Sequence, residues 1–227
     1  MTDFPFTIVA FDLDGTLLET HCDLGTAVNH ALTLGGFAKV PIESATDLIG
    51  GGAKVMLQRA LDAQGGVEHE TFRKLYKAML AYYGEHYAVH TRPYPHVIEV
   101  LDELRKRGVT VGVVTNKFEE FARGILGELA LLDRFAFVIG GDSLGKGPDG
   151  KHIAKPAPDP IFKAKELGGG GRTVFVGDSS YDVKAARAAG VPVVAACYGY
   201  CDQPPQMLGA DAAIESLADL IPALEGL

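Results

Sequence analysis

The chain has few cysteines, and their spacing is wrong for cross-linking. Three occur in 227 residues, at Cys22, Cys197 and Cys201, too few and too scattered for a disulfide framework. The Cys197–Cys201 pair has no second ligand pair that would indicate zinc, and the seven histidines form no metal-ligand spacing. The sequence therefore predicts a protein of a reducing compartment, the cytoplasm.

Long apolar runs and an excess of basic residues are also missing. No apolar run approaches the roughly 18 residues that a membrane helix needs, and no basic segment leads into an apolar stretch at the amino terminus. The chain has 21 basic and 29 acidic residues, which gives a net charge of −8. This balance argues against a general nucleic-acid or anionic-membrane surface. We expect a soluble, unprocessed monomer or homodimer, in which an anionic substrate needs local cations and backbone amides.

Strands and helices alternate regularly in the second half of the chain. A length of 227 residues suggests one core with a smaller insert. Apolar runs predict strands and amphipathic stretches predict helices. The predicted strands are Ile8–Phe11, Val109–Val114, Phe135–Ile139, Thr173–Val176, Pro192–Ala196 and a short edge strand, Asp211–Ile214. The alternation indicates an α/β fold with a doubly wound, Rossmann-like parallel sheet.

The stretch between the first two strands is helical throughout. Helices are predicted after Leu18, near Ser44, across Val55–Leu61 and from Glu70 to Val89, with glycines between them. About seventy residues without a strand signal are too many for a simple crossover. We therefore predict an inserted all-helical cap domain at 19–89 and a hydrolase core formed by residues 1–18 and 90–227.

The first strand ends in two carboxylates. Asp12-Leu13-Asp14-Gly15-Thr16 follows it directly, and because side chains alternate along a strand, Asp12 and Asp14 project to the same side. Two anions there repel each other unless a cation, a proton or strong donors intervene, and a divalent metal meets that need. Gly15 permits a sharp turn at the carboxyl end of the strand, where open parallel sheets bind ligands. An ordinary Asp-Gly turn is the alternative.

Polar groups follow three later segments. Thr115 and Asn116 come after the second core strand and offer a hydroxyl and an amide to phosphate oxygens. Lys155 opens a proline-rich stretch that limits where its side chain points, and a lysine suits a phosphate as a point charge; a proline-rich surface loop is the alternative. Asp178 ends another buried strand, while Asp182 can also complement a helix N-terminus.

In this order, the Asp-x-Asp, Thr-Asn, Lys-Pro and Gly-Asp segments resemble the four motifs of the haloacid dehalogenase-like superfamily of aspartate-nucleophile phosphohydrolases. The resemblance covers nearly the whole chain, and the helical insert is similar to the superfamily's first cap class. It implies that Asp12 is the nucleophile and that Asp14 is the general acid and base. The implied ligands are Asp12, the Asp14 backbone carbonyl and Asp178 for Mg²⁺, with Asp182 in support, and Thr115, Asn116 and Lys155 for the phosphoryl oxygens.

Asp14 narrows the implied chemistry. Dehalogenases and phosphonate-cleaving relatives lack an aspartate two residues after the nucleophile, so its presence favours phosphate esters. Further stretches resemble the bacterial phosphoglycolate phosphatases of this superfamily. They are Leu48–Ala53, Arg92–Val97, Thr115–Lys117, Ile139–Asp142, Tyr198–Tyr200 and Ile221–Leu224. Two features depart from that pattern: Glu19-Thr20, and the glycine-rich segment Ser143–His152, which is longer than usual and either covers the site or loops out.

These observations predict a cytoplasmic, Mg²⁺-dependent phosphatase of a small phosphorylated metabolite in carbohydrate metabolism, with 2-phosphoglycolate as the leading substrate. Neither nucleic acid nor a membrane is an expected partner. Three alternatives stay open, because a fold does not fix a substrate. They are a phosphatase for a sugar phosphate or pyrophosphate, a phosphosugar mutase that uses the same aspartyl-phosphate, and a non-catalytic regulatory module on this fold.

Overall fold

A central sheet of parallel strands organises the structure, a computed structural model that describes residues 4–49 and 51–227. The strands are β1 (Ile8–Phe11), β2 (Leu18–Glu19), β3 (Arg92–Pro93), β4 (Thr110–Val114), β5 (Phe137–Ile139), β6 (Thr173–Gly177), β7 (Val193–Ala196) and β8 (Ala212–Ile214). Six of them pair in parallel in the order β5-β4-β1-β6-β7-β8. The predicted doubly wound α/β fold is confirmed.

Helices cover both faces of this sheet because its strands are apolar on both sides. In β1, Val9 and Phe11 belong to one hydrophobic cluster and Ile8 and Ala10 to another, and all four are fully buried. The helices are α1 (His21–Leu34), α2 (Ala53–Asp62), α3 (His69–His86), α4 (Val97–Lys106), α5 (Glu119–Glu128), α6 (Asp159–Leu167), α7 (Ser180–Ala188), α8 (Pro205–Leu208) and α9 (Leu220–Glu225). None of the described helices is both long and apolar enough to cross a membrane.

The described residues between β2 and β3 form helices and no strand, as the sequence predicts. They are α1, a 3-10 helix at Ile42–Leu48, α2 and α3. The buried apolar side chains of α1, α2 and α3 belong to the same cluster as one face of the sheet. Gly50, in the Leu48–Ala53 stretch named above, lies outside the described residues. The insert is thus packed helix on helix, and its apolar interior is continuous with that face of the sheet.

A two-stranded antiparallel ribbon joins the insert to the sheet. Leu18 of β2 pairs with Pro93 of β3, and Glu19 pairs with Arg92, whose side chains also form a 2.6 Å ion pair. This ribbon escaped the sequence prediction, because two-residue strands leave no periodic signal. We propose it as the junction between core and cap, close to the predicted limits at 18/19 and 89/90.

Other differences from the prediction lie at element ends. The helix predicted near Ser44 is a 3-10 helix that starts after Pro41 and buries only Ala45 within its length. The strand predicted from Phe135 begins at Phe137, since a 3-10 turn at Leu132–Arg134 occupies the preceding residues. The short helix α8 was not predicted. Irregular segments of this size depend on tertiary contacts more than on local pattern.

One glycine in the sheet has no room for a side chain. A Cβ on Gly112 of β4 would lie 2.0 Å from the ring of Phe137, its partner on β5. We expect Gly112→Ala to lower the free energy of unfolding by about 1–3 kcal/mol through overpacking, measured by urea denaturation. The control is Gly127→Ala on the exposed face of α5, where nothing lies within 4 Å of an added Cβ. Equal stability of the two variants would contradict this packing argument.

Candidate active site

The carboxyl edge of the sheet brings the predicted site residues together. Asp12 follows β1, Thr115 follows β4 and Asp178 follows β6, three strands that lie side by side. Lys155 comes from the connection between β5 and α6, and all four residues are buried. They line one cavity of about 940 Å³, together with the remaining predicted residues, Asp14 and Asn116. Their catalytic and binding roles stay predictions.

Lys155 lies against the candidate nucleophile. Its Nζ is 2.8 Å from Asp12 Oδ1 and donates a 2.6 Å hydrogen bond to Asp182 Oδ1. Burial alone would lower the pKa of Lys155, but the carboxylates of Asp12 and Asp182 raise it above its ordinary value, so the lysine stays a cation. Burial raises the pKa of Asp12 to about 6, although Lys155 opposes the shift. The Asp12 carboxylate is therefore poorly hydrated and only partly compensated.

Three carboxylates crowd this centre. One oxygen each from Asp12, Asp178 and Asp182 lie within 4.8 Å of one another. Burial, followed by the charges of Asp182 and Asp12, raises the pKa of Asp178 well above its usual range. Like charges this close in a dry site need a cation, and buried carboxylate oxygens are the ligands that hard divalent cations prefer. The residues present therefore fit a divalent metal ion.

Both carboxylate oxygens of Asp182 accept hydrogen bonds from the protein. Its Oδ1 accepts from Lys155, and its Oδ2 accepts from the Ser179 amide at 3.0 Å and the Ser179 hydroxyl at 2.6 Å. Ser179 and Asp182 form a capping box at the start of α7. The contact with the helix N-terminus that the sequence predicts for Asp182 is present, and the same side chain also holds Lys155 beside Asp12. Its support of a metal ion stays a prediction.

Asp14 faces a second buried lysine that the sequence analysis did not single out as a site residue. Lys117 Nζ lies 2.9 Å from Asp14 Oδ2 and donates a 2.9 Å hydrogen bond to the Tyr83 hydroxyl. Tyr83 belongs to α3 of the insert, so Lys117 connects cap and core at the site. Asp14 Oδ1 is buried without a hydrogen-bond partner among the described residues, which leaves this oxygen available to a bound molecule.

Thr115 and Asn116 offer complementary groups to an anion. The Thr115 hydroxyl oxygen accepts a 3.2 Å hydrogen bond from the Lys117 amide, which leaves its own proton free for donation. Asn116 Nδ2 donates to the Lys155 carbonyl at 3.0 Å. That bond ties the loop after β4 to the lysine segment and fixes the relative position of two predicted phosphate-binding elements.

Tyr200 links the acidic centre to the start of the cap. Its backbone amide donates to Asp178 Oδ2 at 2.7 Å, while its hydroxyl accepts from the amides of Thr20 at 2.6 Å and His21 at 3.0 Å. The close approach depends on Gly15, which has a φ of +84° and where a Cβ would lie 2.2 Å from Asp178. Tyr200 was noted in the sequence only through a resemblance, and its contacts span 180 positions.

Comparisons with known proteins identify the class of this protein. The family model for haloacid dehalogenase-like hydrolases matches residues 9–196. The chain belongs to this family, as its motifs predict. Enzymes of the family generally use a divalent metal, and the acidic cluster described above is present.

Relatives with assigned names narrow the class further. The chain is 38% identical to the phosphoglycolate phosphatase of Agrobacterium fabrum over 228 residues, covering 99% of this chain and 95% of that protein. It is 36% identical to the phosphoglycolate phosphatase of Caulobacter vibrioides, covering 93% and 88%. A crystal structure from Haemophilus somnus, described as a predicted phosphoglycolate phosphatase, superposes with a TM-score of 0.85 at 32% identity, covering 96% and 97%. The chain is a phosphatase that resembles this group.

The link through Tyr200 can be tested by removing one oxygen. We expect Tyr200→Phe to lower the free energy of unfolding by about 1–3 kcal/mol, because two backbone amides at the start of α1 lose their acceptor. Urea denaturation without added metal measures this.

Tyr82→Phe is the matched control for Tyr200→Phe. The Tyr82 ring stacks between His30 and His86, and its hydroxyl has no hydrogen bond within the described part of the chain. A loss as large for Tyr82→Phe as for Tyr200→Phe would contradict the assignment.

Proposed function

We propose that this phosphatase is a Mg²⁺-dependent phosphomonoesterase that works through an aspartyl-phosphate on Asp12, with 2-phosphoglycolate as its leading substrate. One observation supports the proposal above all. A buried carboxylate, Asp12, lies 2.8 Å from a buried lysine and next to two further carboxylates, and Asp14 lines the same cavity. Nucleophile, charge compensation and proton carrier are thus all present in one place.

In the first half-reaction, Asp12 attacks phosphorus and the bond from phosphorus to the leaving oxygen breaks. The leaving alkoxide takes a proton from the Asp14 carboxyl, whose Oδ1 has no hydrogen-bond partner among the described residues. Proton donation of this kind contributes about 10²–10⁴-fold. The products of this step are the free alcohol and phosphoryl-Asp12.

In the second half-reaction, Asp14 takes a proton from water as the water oxygen attacks the phosphorus of phosphoryl-Asp12. The bond from phosphorus to the Asp12 oxygen breaks. Inorganic phosphate leaves and both aspartates are restored. Thr115, Asn116 and Lys155 hold the phosphoryl oxygens in this proposal. Lys155 suits the role because it keeps its charge in a buried site, where a cation stabilises developing negative charge more strongly than in water.

Asp12, Asp178 and the Asp14 backbone carbonyl would hold Mg²⁺, with Asp182 fixing Lys155 beside them. When bound, the ion would offset the repulsion between these carboxylates and the incoming phosphate. Asp178 is already oriented for this, because its two oxygens accept from the Thr16 hydroxyl at 3.3 Å and the Tyr200 amide at 2.7 Å. Such outer contacts orient a metal ligand.

The choice of 2-phosphoglycolate rests on the relatives from Agrobacterium fabrum and Caulobacter vibrioides, which are named for this activity and align over most of their length. One observation favours a second candidate. The cavity, at about 940 Å³, falls at the upper end of the usual range for small-molecule sites and has room for more than a two-carbon ester. A sugar phosphate is therefore the alternative substrate.

Phosphate release with and without Mg²⁺ tests the proposal. The panel contains 2-phosphoglycolate, several sugar phosphates and pyrophosphate. We expect activity to require the metal, and kcat/KM for 2-phosphoglycolate to lead by at least about tenfold. Asp12→Asn should abolish turnover and keep the fold, whereas Asp133→Asn, an exposed aspartate of the 3-10 turn before β5, should change neither. A higher kcat/KM for a sugar phosphate than for 2-phosphoglycolate would contradict the proposed substrate. Turnover by Asp12→Asn would contradict the assignment of Asp12 as the nucleophile.

A further inference from the structure

Two buried lysines lie on the described cavity wall, and the proposed reaction uses one of them. Lys155 lies beside Asp12, whereas Lys117 has no role in the reaction as proposed. The wall also carries four exposed basic side chains: Lys54, Arg73, Lys146 and Lys151. The last two belong to the Ser143–His152 segment, so this segment lies along the cavity. A buried charge costs free energy unless it is paired, and the surroundings of Lys117 therefore indicate what it does.

The Lys117 ammonium is held between the core and the insert. Its Nζ lies 2.9 Å from Asp14 Oδ2 on one side and donates a 2.9 Å hydrogen bond to the Tyr83 hydroxyl on the other. Burial alone would lower the pKa of Lys117, but Asp14 and Tyr83 raise it above its ordinary value. Burial raises the pKa of Tyr83 to about 12. The contact is thus made by a cation with a carboxylate and a neutral phenol.

The backbone of Lys117 is fixed as well. Its amide donates to the Thr115 hydroxyl at 3.2 Å, and its carbonyl accepts from the Gly141 amide at 2.8 Å. The second bond requires a glycine, because a Cβ on Gly141 would lie 2.6 Å from the Asn116 carbonyl oxygen. The lysine therefore starts from a point where the loops after β4 and β5 are tied together, which gives its side chain a defined direction.

Tyr83 is fixed in turn by the packing of α3 on α5. Its side chain is buried, and its ring packs edge-to-face on Phe121 of α5, with centroids 5.4 Å apart. Tyr87, one turn further along, also contacts Phe121, with centroids 6.3 Å apart. Between them, a Cβ on Gly84 would lie 3.4 Å from the Phe121 ring. This end of the insert is thus docked on the core, and it holds the Tyr83 hydroxyl against Lys117.

The two oxygens of the Asp14 carboxylate have different surroundings. Oδ2 has Lys117 as its partner, while Oδ1 is buried without a hydrogen-bond partner among the described residues. A carboxylate that rotates freely presents either oxygen to the cavity. A carboxylate that is held at Oδ2 presents Oδ1, and a fixed orientation of this kind lowers the barrier of a reaction between neighbouring groups.

We propose that Lys117 is a positioning residue, which holds Asp14 by Oδ2 so that Oδ1 exchanges the proton, and that Tyr83 of the insert holds Lys117 in place. Oδ1 then gives its proton to the leaving oxygen as the bond from phosphorus breaks, and it later takes a proton from the attacking water. This inference rests on the proposed roles of Asp14 in the phosphomonoesterase reaction. It extends the acid-base machinery from the strand end into the insert.

Two esters of similar size separate proton donation from the other steps. The benzyl alkoxide of benzyl phosphate needs a proton to leave, whereas the phenolate of 4-nitrophenyl phosphate does not. Because kcat/KM covers the steps up to phosphoryl-Asp12, it reports the loss of the acid for the first ester alone. Lys117→Met should lower kcat/KM for benzyl phosphate by about tenfold and leave that for 4-nitrophenyl phosphate within about twofold.

The second half-reaction gives an independent signature. Hydrolysis of phosphoryl-Asp12 needs Asp14 as a base for either ester, so Lys117→Met should also lower kcat for 4-nitrophenyl phosphate. Formation of phosphoryl-Asp12 stays fast with this ester. Stopped-flow measurement should therefore show a burst of 4-nitrophenolate, close to one per enzyme, before the slow steady state.

A double-mutant cycle shows whether Lys117 acts through Asp14. Asp14→Asn alone should lower kcat/KM for benzyl phosphate by about 10²–10⁴-fold. Adding Lys117→Met to Asp14→Asn should cost less than about twofold more, because the group that the lysine positions is already lost. A further tenfold loss in the double variant would contradict the positioning role.

Tyr83→Phe is a milder variant, because it keeps every charge and removes the oxygen that holds Lys117 from the insert. It should lower kcat/KM for benzyl phosphate by about threefold and leave that for 4-nitrophenyl phosphate unchanged. Tyr87→Phe is the matched control, since Tyr87 packs on the same phenylalanine and does not line the cavity. It should behave as wild type, and equal effects of the two variants would contradict the role of Tyr83.

The same two esters distinguish this inference from the proposed function. An equal loss on both esters after Lys117→Met would show a general structural effect, and a raised KM for both with kcat unchanged would show a substrate contact. Either result would overturn the positioning role. If Asp14→Asn discriminates between the esters and Lys117→Met does not, the proposed function stands and this inference fails. If Asp14→Asn does not discriminate, the proposed acid role of Asp14 fails and the inference fails with it.

Discussion

Repulsion among three buried carboxylates is the constraint on which the rest of this site depends. Asp12, Asp178 and Asp182 place oxygens within 4.8 Å of one another, and Lys155 supplies one positive charge against three. Burial and mutual repulsion raise the pKa of Asp178 well above its usual range and that of Asp12 to about 6. A divalent cation would make up the missing two charges, which gives the proposed metal requirement a direct electrostatic cause.

The fold holds this arrangement rigid, because the site residues stand at the ends of paired strands. β4, β1 and β6 are adjacent in the middle of the sheet, so Thr115, Asp12 and Asp178 stand at neighbouring strand ends held by the hydrogen-bond ladder. The cap reaches this platform through β2 and β3, and through the contact of Lys117 with Tyr83. The proposed catalytic residues thus stand at strand ends, and the helical insert contacts them from one side.

The sequence was informative where the signal is local. Buried strands that end in polar residues predicted the sheet, and they located Asp12, Asp14, Thr115, Asn116, Lys155 and Asp178 on what is one cavity. Other features depend on contacts between distant residues. Lys117 is one lysine in a loop until α3 brings Tyr83 to it, and Tyr200 meets Thr20 across 180 positions. Such contacts form only when cap and core pack together, so no local sequence pattern predicts them.

The proposed mechanism requires that the phosphoryl group pass through Asp12, and trapping phosphoryl-Asp12 is the sharpest test of it. Asp14→Asn with 4-nitrophenyl phosphate suits the purpose, because this leaving group needs no acid in the first step, whereas the second step still needs the base. After an acid quench, peptide mass mapping should place a phosphoryl group on the segment that contains Asp12. A phosphoryl group on another residue, or phosphate release at the wild-type rate with no phosphopeptide, would contradict the aspartyl-phosphate mechanism on Asp12.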